Sequence, residues 1–290
     1  MKKKFLFNKN WFFEDFRLPG ESPSFTWGVV VEKEVYSGKS QFQKIDIFET
    51  EEFGRILALD GLIQLSTKDE AVYHEMLVQP AFFYHQGPEK VLIVGGGDGG
   101  SLREVVKHKS VREIYLVDID ERVIELSKKH LPSVSCGAFN DKRLKIFNQN
   151  AAELIKNYKN YFDIIVNDLT DPAGCSLALW KKRFYKNILK ALKEGGVAAF
   201  QTAYSKEEFA RQARKTIKKV FPFFKTHKAF AGCFPFDEHT FSFASKDINF
   251  DKITPEKIKE KYKRLKIKTE YYSPQIHFAS QVFPGCPEKT

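Results

Sequence analysis

Residues 91–100 read Val-Leu-Ile-Val-Gly-Gly-Gly-Asp-Gly-Gly, and this stretch decides the fold. Four apolar residues in a row are typical of a buried strand, and the glycines that follow allow a ligand to approach the backbone closely. A helical pattern begins directly afterwards, at residues 101–108. A strand, a glycine-rich loop and a helix in this order are typical of nucleoside-binding α/β proteins. Asp98 lies inside the loop, where its carboxylate would repel phosphate, so the loop is not interpreted as a phosphate cradle.

The same alternation of apolar strand and amphipathic helix continues downstream. It predicts a mainly parallel sheet with helices on both faces, which binds ligands beyond the carboxyl ends of its strands. The predicted strands are residues 91–94, 114–117, 144–147, 164–167 and 197–200, and the predicted helices are residues 69–85, 101–108, 121–130, 151–159 and 177–192. Upstream, short strand-like runs at residues 28–32, 42–48 and 55–59 predict a small β-rich unit.

Composition excludes several classes of protein. The chain has 290 residues, and its hydrophobic share of 42% argues against a wholly disordered protein. No apolar run approaches the roughly 18 residues that a membrane span needs, and Asn8 interrupts the apolar start before a signal peptide can form. The four cysteines are far apart and make no CxxC pair, so no metal site or disulfide framework is indicated. We therefore expect a cytoplasmic protein.

Polar side chains follow the second and third strands of the predicted sheet. Asp118 and Asp120 come about 20 residues after the glycine loop, where a carboxylate can accept hydrogen bonds from ribose hydroxyls. Asp120 is expected to cap the next helix, which leaves Asp118 for the ligand. Asn150, before Ala151, can meet an adenine edge. A nucleoside pocket without phosphate contacts favours an S-adenosyl group over NAD or ATP. The fold class predicted is α/β, a Rossmann-like class I S-adenosylmethionine-dependent transferase sheet with a small N-terminal β domain.

The fourth strand ends in Asp168-Leu169-Thr170-Asp171-Pro172. One interpretation is an Asx turn followed by a helix cap. The other is a site that binds or deprotonates a cation, because two carboxylates lie close together at the ligand-binding edge.

Several motifs in order resemble the polyamine aminopropyltransferase family over roughly residues 27–284. The motifs are Asp60-Gly61-Leu62-Ile63-Gln64, Lys68-Asp69-Glu70, Tyr73-His74-Glu75-Met76, the loop at residues 95–100 with Arg103-Glu104-Val105, residues 168–172, Tyr271-Tyr272-Ser273-Pro274 with His277, and Phe283-Pro284. The resemblance implies an N-terminal β domain, here residues 1–80, and a Rossmann-like catalytic domain, here residues 81–290. It also implies a homodimer or homotetramer.

The resemblance further implies an enzyme that transfers the aminopropyl group of decarboxylated S-adenosylmethionine, a co-substrate, to putrescine, giving spermidine and methylthioadenosine. No prosthetic group is expected. Asp168 corresponds to the catalytic acid/base. The other site positions are Gln43, Gly95, Gly97, Asp98, Asp118, Asn150, Ala151 and Cys175 for the donor, and Tyr73, His74, Asp98, Asp168, Asp171, Gln201 and Asp237 for the amine substrate.

The sequence departs from the family pattern at four places. Asp118 stands where many spermidine synthases have Glu, Asn150 replaces a common Asp, and Gly174-Cys175 replaces Gly-Pro. The segment at residues 233–238 lacks the Tyr-Pro-Ser-Gly pattern that helps to bind putrescine. Asp237 and Glu238 in that segment either meet an additional amine or form a solvated turn, so a thermospermine- or spermine-type synthase remains an alternative. A class I methyltransferase and a non-catalytic binding protein are the other hypotheses.

The net charge of +10 first suggests nucleic acid or an anionic surface as a partner. The predicted ligand-facing strand ends are nevertheless acidic. We therefore expect an acidic cleft for a cationic small molecule, with no nucleic-acid or membrane partner. The basic excess is assigned to helix exteriors, with Lys257, Lys259 and Lys261 as examples.

Overall fold

Thirteen strands and nine α-helices form the part of the chain that the computed structural model describes, residues 9–14, 26–170, 174–205 and 207–283. The strands are β1 Trp11–Phe13, β2 Gly28–Val30, β3 Lys33–Lys39, β4 Lys44–Thr50, β5 Gly54–Leu59, β6 Leu62–Ser66, β7 Lys90–Gly95, β8 Glu113–Val117, β9 Leu144–Phe147, β10 Phe162–Asp168, β11 Leu192–Tyr204, β12 Phe223–Ala229 and β13 His239–Ser245. The helices are α1 Glu70–Tyr84, α2 Gly100–Val106, α3 Glu121–His130, α4 Pro132–Ser135, α5 Ala151–Leu154, α6 Lys182–Ala191, α7 Glu208–Val220, α8 Pro255–Leu265 and α9 Pro274–Ala279.

The central sheet confirms the predicted α/β class. Its strand order is β12-β13-β11-β10-β7-β8-β9, and β11, β10, β7, β8 and β9 pair in parallel. All five predicted strands are present. The antiparallel strands β12 and β13, which complete one edge, were not predicted; in β12, three lysine or histidine side chains interrupt the apolar pattern.

The inner strands β7, β8 and β10 are buried on both faces, which explains their largely apolar sequences. Val91 and Ile93 of β7 face one core, which also contains side chains of α1, α2 and α8. Leu92 and Val94 face the other, with side chains of α5, α6 and α7. All four are fully inaccessible to solvent. The two cores hold the ends of the parallel strands rigidly.

The N-terminal residues form a second sheet, in the order β3-β4-β5-β6, and a separate β1–β2 hairpin. The strands β3 and β6 were not predicted, since glycine and polar residues interrupt their pattern. Ile45 and Leu57 of this sheet pack against Val123 and Leu126 of α3. The division proposed between residues 80 and 81 falls within α1 and stays a prediction.

Two predicted helices are interrupted. Residues 151–159 form α5 and then a 3-10 turn at Ile155–Asn157. Residues 177–192 divide at Lys181, whose extended backbone separates the 3-10 segment Gly174–Trp180 from α6. Among the described residues, the helices are all too short or too polar to cross a bilayer.

Helix α8 presents lysines to solvent, with one exception to the prediction. Lys257 and Lys259 are exposed, whereas Lys261 is partly buried. Its ammonium donates to the carbonyl oxygen of Phe82, at 2.7 Å, and to that of His85 at the end of α1. Burial lowers the pKa of Lys261 to about 8. The side chain satisfies helix carbonyls that have no partner within α1.

Candidate active site

A cavity lies over the carboxyl ends of β7, β8 and β10, beneath the N-terminal sheet. Its floor is the glycine loop and the strand ends, its roof includes Leu57, Leu59 and Gln64, and α1 contributes Tyr73 and His74. This is where a doubly wound sheet is expected to bind a ligand. The predicted residues that line it are Gln43, Tyr73, His74, Gly95, Gly97, Asp98, Asp118, Asn150, Ala151 and Asp168.

Gly95 allows the end of β7, which leads to Asp98, to approach the end of β10 at Asp168. It pairs with Asp168 in the parallel register of β7 and β10, and its φ of +76° is unfavourable for other residues. A Cβ atom at this position would lie 2.0 Å from the carbonyl oxygen of Asp168. That oxygen also accepts a 3.2 Å hydrogen bond from the backbone N–H of Gly96. The glycine loop therefore positions Asp98 and Asp168 in one cavity.

The carboxylate of Asp168 is buried and held by two hydroxyls. Oδ1 accepts from the Tyr73 hydroxyl at 2.9 Å, and Oδ2 accepts from the Ser101 hydroxyl at 2.6 Å. Burial raises the pKa of Asp168, and the negative charge of Asp98 raises it further. The result is a fixed carboxylate with more affinity for a proton than an ordinary aspartate has.

Asp98 is bound by a histidine and a backbone N–H. Its Oδ1 accepts from the backbone N–H of Gly100 at 2.7 Å and lies 3.2 Å from Nε2 of His74. The other ring nitrogen of His74, Nδ1, lies 2.6 Å from Oε2 of Glu70. Burial alone would raise the pKa of Asp98, but His74 holds it below its usual value. Burial alone would lower the pKa of His74, but Asp98 and Glu70 hold it well above its usual value.

One atom each of His74, Asp98 and Asp168 lies within 4.8 Å of the others, a spacing that can also hold a metal ion. A histidine ligand must offer a ring lone pair. Both ring nitrogens of His74 instead lie within 3.2 Å of carboxylate oxygens, at hydrogen-bond distance. The chemistry of this donor set therefore fits an organic cation better than a metal.

The other half of the cavity is suited to a nucleoside. Asp118 is half-buried, and its Oδ2 accepts from the backbone N–H of Gly97 at 3.1 Å. Burial, with Asp120 and Asp98 nearby, raises the pKa of Asp118 to about 6. Asp120 caps α3, as predicted, by accepting from the N–H of Arg122 at 3.1 Å.

Two residues that were predicted to bind the aminopropyl donor already form hydrogen bonds within the protein. The side-chain amide of Gln43 donates to Oδ2 of Asp120 at 2.9 Å. The amide oxygen of Asn150, assigned from sequence to an adenine amino group, caps α5 by accepting from the N–H of Ala152 at 2.8 Å. Both residues still line the cavity.

Several predicted residues lie elsewhere. Gln201 is buried outside the cavity lining, and its amide donates to the carbonyl oxygen of Leu169 at 2.6 Å. Asp237 accepts from the Ser205 hydroxyl at 2.5 Å, also away from the lining. Asp171 and Pro284 lie outside the described residues, as does the side chain of Cys175.

The structure adds residues that the sequence did not assign. Ser101 was interpreted as the start of a helix, yet its hydroxyl binds Asp168. Ser176 and Gln149 also line the cavity. The position of Ser101 directly after the glycine loop was the available signal, but serine at a helix start is commonly a capping residue.

The fold and the site define a Rossmann-like transferase of the class I S-adenosylmethionine-dependent type, with a nucleoside region beside a buried acidic pair. A model for the spermine/spermidine synthase domain matches residues 70–252, and one for the spermidine synthase tetramerisation domain matches residues 10–67. The chain belongs to this family, and it is an enzyme of the aminopropyltransferase type. The family predicted from the motifs is confirmed.

Relatives resemble the chain over most of its length. A polyamine aminopropyltransferase of Thermotoga petrophila is 42% identical over 89% of this chain and 87% of its own. One of Caldicellulosiruptor saccharolyticus is 35% identical over 96% and 97%. A spermidine synthase crystallised with the transition-state analogue AdoDATO has a TM-score of 0.89 and 38% identity, and covers 96% of this chain and 93% of its own. The spermidine synthase of Thermotoga maritima has a TM-score of 0.87, also at 38% identity, with 96% and 92% covered.

Proposed function

We propose that this chain transfers the aminopropyl group of decarboxylated S-adenosylmethionine to putrescine, forming spermidine and methylthioadenosine. The observation that carries the proposal is the pair of buried carboxylates, Asp98 and Asp168, beside a cavity that suits a nucleoside. A cationic substrate compensates the negative charge that these groups bring together.

Asp98 selects the donor. Its Oδ1 is held by Gly100 and His74, and the carboxylate lines the cavity, where it can bind an ammonium group. Decarboxylated S-adenosylmethionine ends in an ammonium, whereas the intact compound also carries a carboxylate that Asp98 would repel. One charge pair at about 4 Å and an effective dielectric near 20 corresponds to roughly 4 kcal/mol, an upper guide to a discrimination of about a thousandfold. This favours an aminopropyltransferase over a methyltransferase.

Asp168 acts as the general base. The acceptor nitrogen attacks the carbon next to the sulfonium, and the carbon–sulfur bond breaks with its electron pair going to sulfur. The sulfonium becomes a neutral thioether, and the proton released by the nitrogen goes to Asp168. The raised pKa of Asp168 suits this transfer, and its two hydroxyl partners fix its orientation. Because sulfonium is already a good leaving group, alignment supplies much of the catalysis.

Putrescine is the first acceptor to test, and a longer polyamine is the alternative. The carboxylate of Glu238 lies 2.6 Å from the ammonium of Lys228, so it is already paired with a cation. Asp237 is likewise engaged by Ser205. Both observations favour the shorter acceptor. Asp171 is assigned to the acceptor by resemblance alone.

The decisive experiment incubates the enzyme with decarboxylated S-adenosylmethionine and a panel of polyamines, and detects products by mass. We expect putrescine to give the fastest aminopropylation. A faster reaction with spermidine would favour the thermospermine- or spermine-type alternative. Calorimetry with both forms of the donor is the companion measurement, and tighter binding of intact S-adenosylmethionine would favour a methyltransferase.

We also propose that the chain forms a homo-oligomer. The support is the match of residues 10–67 to a domain described as a tetramerisation domain. The expected state is a tetramer, with a dimer as the alternative. Sedimentation equilibrium measures the mass, and a monomer at micromolar concentration would contradict the proposal.

A further inference from the structure

A chain of alternating charges lies behind the substrate-facing acids. It runs from Arg103 through Glu70 and His74 to Asp98. Oε1 of Glu70 lies 2.5 Å from a guanidinium nitrogen of Arg103, and Oε2 lies 3.0 Å from the other and 2.6 Å from Nδ1 of His74. His74 and Glu70 are almost fully buried.

The geometry favours a His74 ring that carries two protons. A neutral imidazole has one N–H and one lone pair, so one of its nitrogens would place a lone pair against a carboxylate oxygen. Nδ1 and Nε2 both lie within 3.2 Å of a carboxylate oxygen. An imidazolium donates to both oxygens without this repulsion.

The ring of His74 lies against Gly100 at the start of α2. A Cβ atom at Gly100 would lie 2.3 to 2.5 Å from three ring atoms of His74, so the imidazole packs directly on the backbone of α2. Arg103, three residues further along the same helix, holds Glu70, and its guanidinium also donates to the carbonyl oxygen of Val134. One short helix therefore supports the ring and fixes its partner.

We propose that Glu70 and Arg103 are positioning residues that keep His74 as a buried cation, and that this cation allows Asp98 and Asp168 to be ionised together. Two carboxylates in one buried site otherwise share a proton. A protonated Asp98 would attract the aminopropyl ammonium weakly. The inference rests on the proposed function, because it concerns recognition of that ammonium.

Three acids face His74: Glu70 from α1, Asp98 from the glycine loop and Asp168 from the end of β10. A fourth charged group, Arg103 of α2, faces Glu70 rather than the ring. Every direct charged neighbour of the ring thus favours the imidazolium.

The first test observes the charge state in the ligand-free wild-type enzyme. Nitrogen-15 NMR of histidine-labelled protein, with the His74 signal assigned by its loss in His74→Gln, is recorded at pH 8. We expect both ring nitrogens of His74 to be protonated. A neutral ring at that pH would overturn the inference, whatever the enzyme binds.

The second test compares two ligands in Glu70→Gln. Calorimetry measures the affinity for decarboxylated S-adenosylmethionine and for methylthioadenosine, which lacks the aminopropyl ammonium. We expect a loss of about tenfold or more for the first, the size of one charge-assisted hydrogen bond, and less than about threefold for the second. Equal losses would indicate a merely structural role, and unchanged affinity for both would also overturn the inference.

Two controls complete the design. Glu125→Gln removes a carboxylate from a surface pair with Arg122 and is expected to leave both affinities unchanged. Methylthioadenosine binding reports the folded sites in each sample, and Glu70→Asp, which retains the charge, is expected to recover part of the lost affinity. A wild-type enzyme that does not prefer the decarboxylated donor would contradict the proposed function, whereas the NMR result judges the inference separately.

Discussion

Buried histidines at the two ends of α1 have pKa values that are shifted in opposite directions. His74 lies in the cavity between Glu70 and Asp98, and its pKa is raised well above the usual value. His227 and His277 lie beside Tyr84, the last residue of α1, fully buried, and burial lowers the pKa of each, to about 3 for His277. Burial is the same in both places, so the neighbours decide the charge.

The hydrogen-bonding neighbours of His227 and His277 are neutral hydroxyls. Nε2 of His227 lies 2.6 Å from the Tyr84 hydroxyl, and Nδ1 lies 2.8 Å from the Ser280 hydroxyl. Nδ1 of His277 lies 2.7 Å from the hydroxyl of Tyr272. Hydroxyls can satisfy a neutral ring, because each both donates and accepts. The same residue type therefore serves charge balance at one end of α1 and packing at the other.

The largest expected effect concerns Asp168, the general base of the proposed reaction. If Asp168 accepts the proton, Asp168→Asn lowers kcat by about 10² to 10⁴. Nucleoside binding changes little, because Asp118 and the apolar walls are intact. Steady-state kinetics and calorimetry with methylthioadenosine measure the two quantities. Near-normal turnover would remove Asp168 from the mechanism.

The next prediction concerns the packing of His74 against Gly100. Gly100→Ala forces the His74 ring to move, and we expect the free energy of unfolding to fall by about 1 to 3 kcal/mol, the typical cost of overpacking. Gly87→Ala is the matched control, since a Cβ atom there meets nothing within 4 Å. Urea denaturation compares the two, and equal stabilities would show that the ring has room to move.

The pH dependence of the free energy of unfolding distinguishes His74 from His277. A raised pKa gives His74 a contribution that is complete below the unfolded pKa near 6.5 and is lost as the pH rises through the folded pKa. A lowered pKa gives His277 a contribution that is present above 6.5 and is lost as the pH falls toward about 3. His74→Gln is therefore expected to flatten the alkaline limb of the stability curve, and His277→Gln the acid limb.

Each proton contributes a slope of about 1.4 kcal/mol per pH unit. Urea unfolding measured between pH 4 and pH 9 checks both variants. If both flattened the same limb, the contrast between the two sites would be wrong.

The smallest effect concerns the hydroxyl that binds Asp168. Tyr73→Phe removes a hydrogen bond that lowers the pKa of Asp168, so this pKa rises further. We expect kcat to fall about tenfold, the size of one hydrogen bond to a charged group, and its acid limb to move to higher pH because Asp168 must be ionised to accept a proton. A pH profile of kcat measures the shift, and an acid limb that moves to lower pH would contradict the assignment.

Part of this site follows from local sequence. The glycine loop, Asp98, Asp118 and Asp168 all follow apolar strands, and parallel strands bring their carboxyl ends to one edge. Position along the chain was sufficient to group these acids. Gln201 and Asp237 form hydrogen bonds with Leu169 and Ser205, and their assignment to the amine substrate stays a prediction.

The sequence by itself determined the α/β class, the family and the acids at the strand ends, because a strand's apolar period and its terminal residue are local properties. Only the tertiary structure decided the charges. Whether His74, His227 or His277 carries a proton depends on side chains distant in sequence, such as Asp98 for His74 and Ser280 for His227. Electrostatic interactions in a buried site act over a few ångströms of space, and the fold sets those distances.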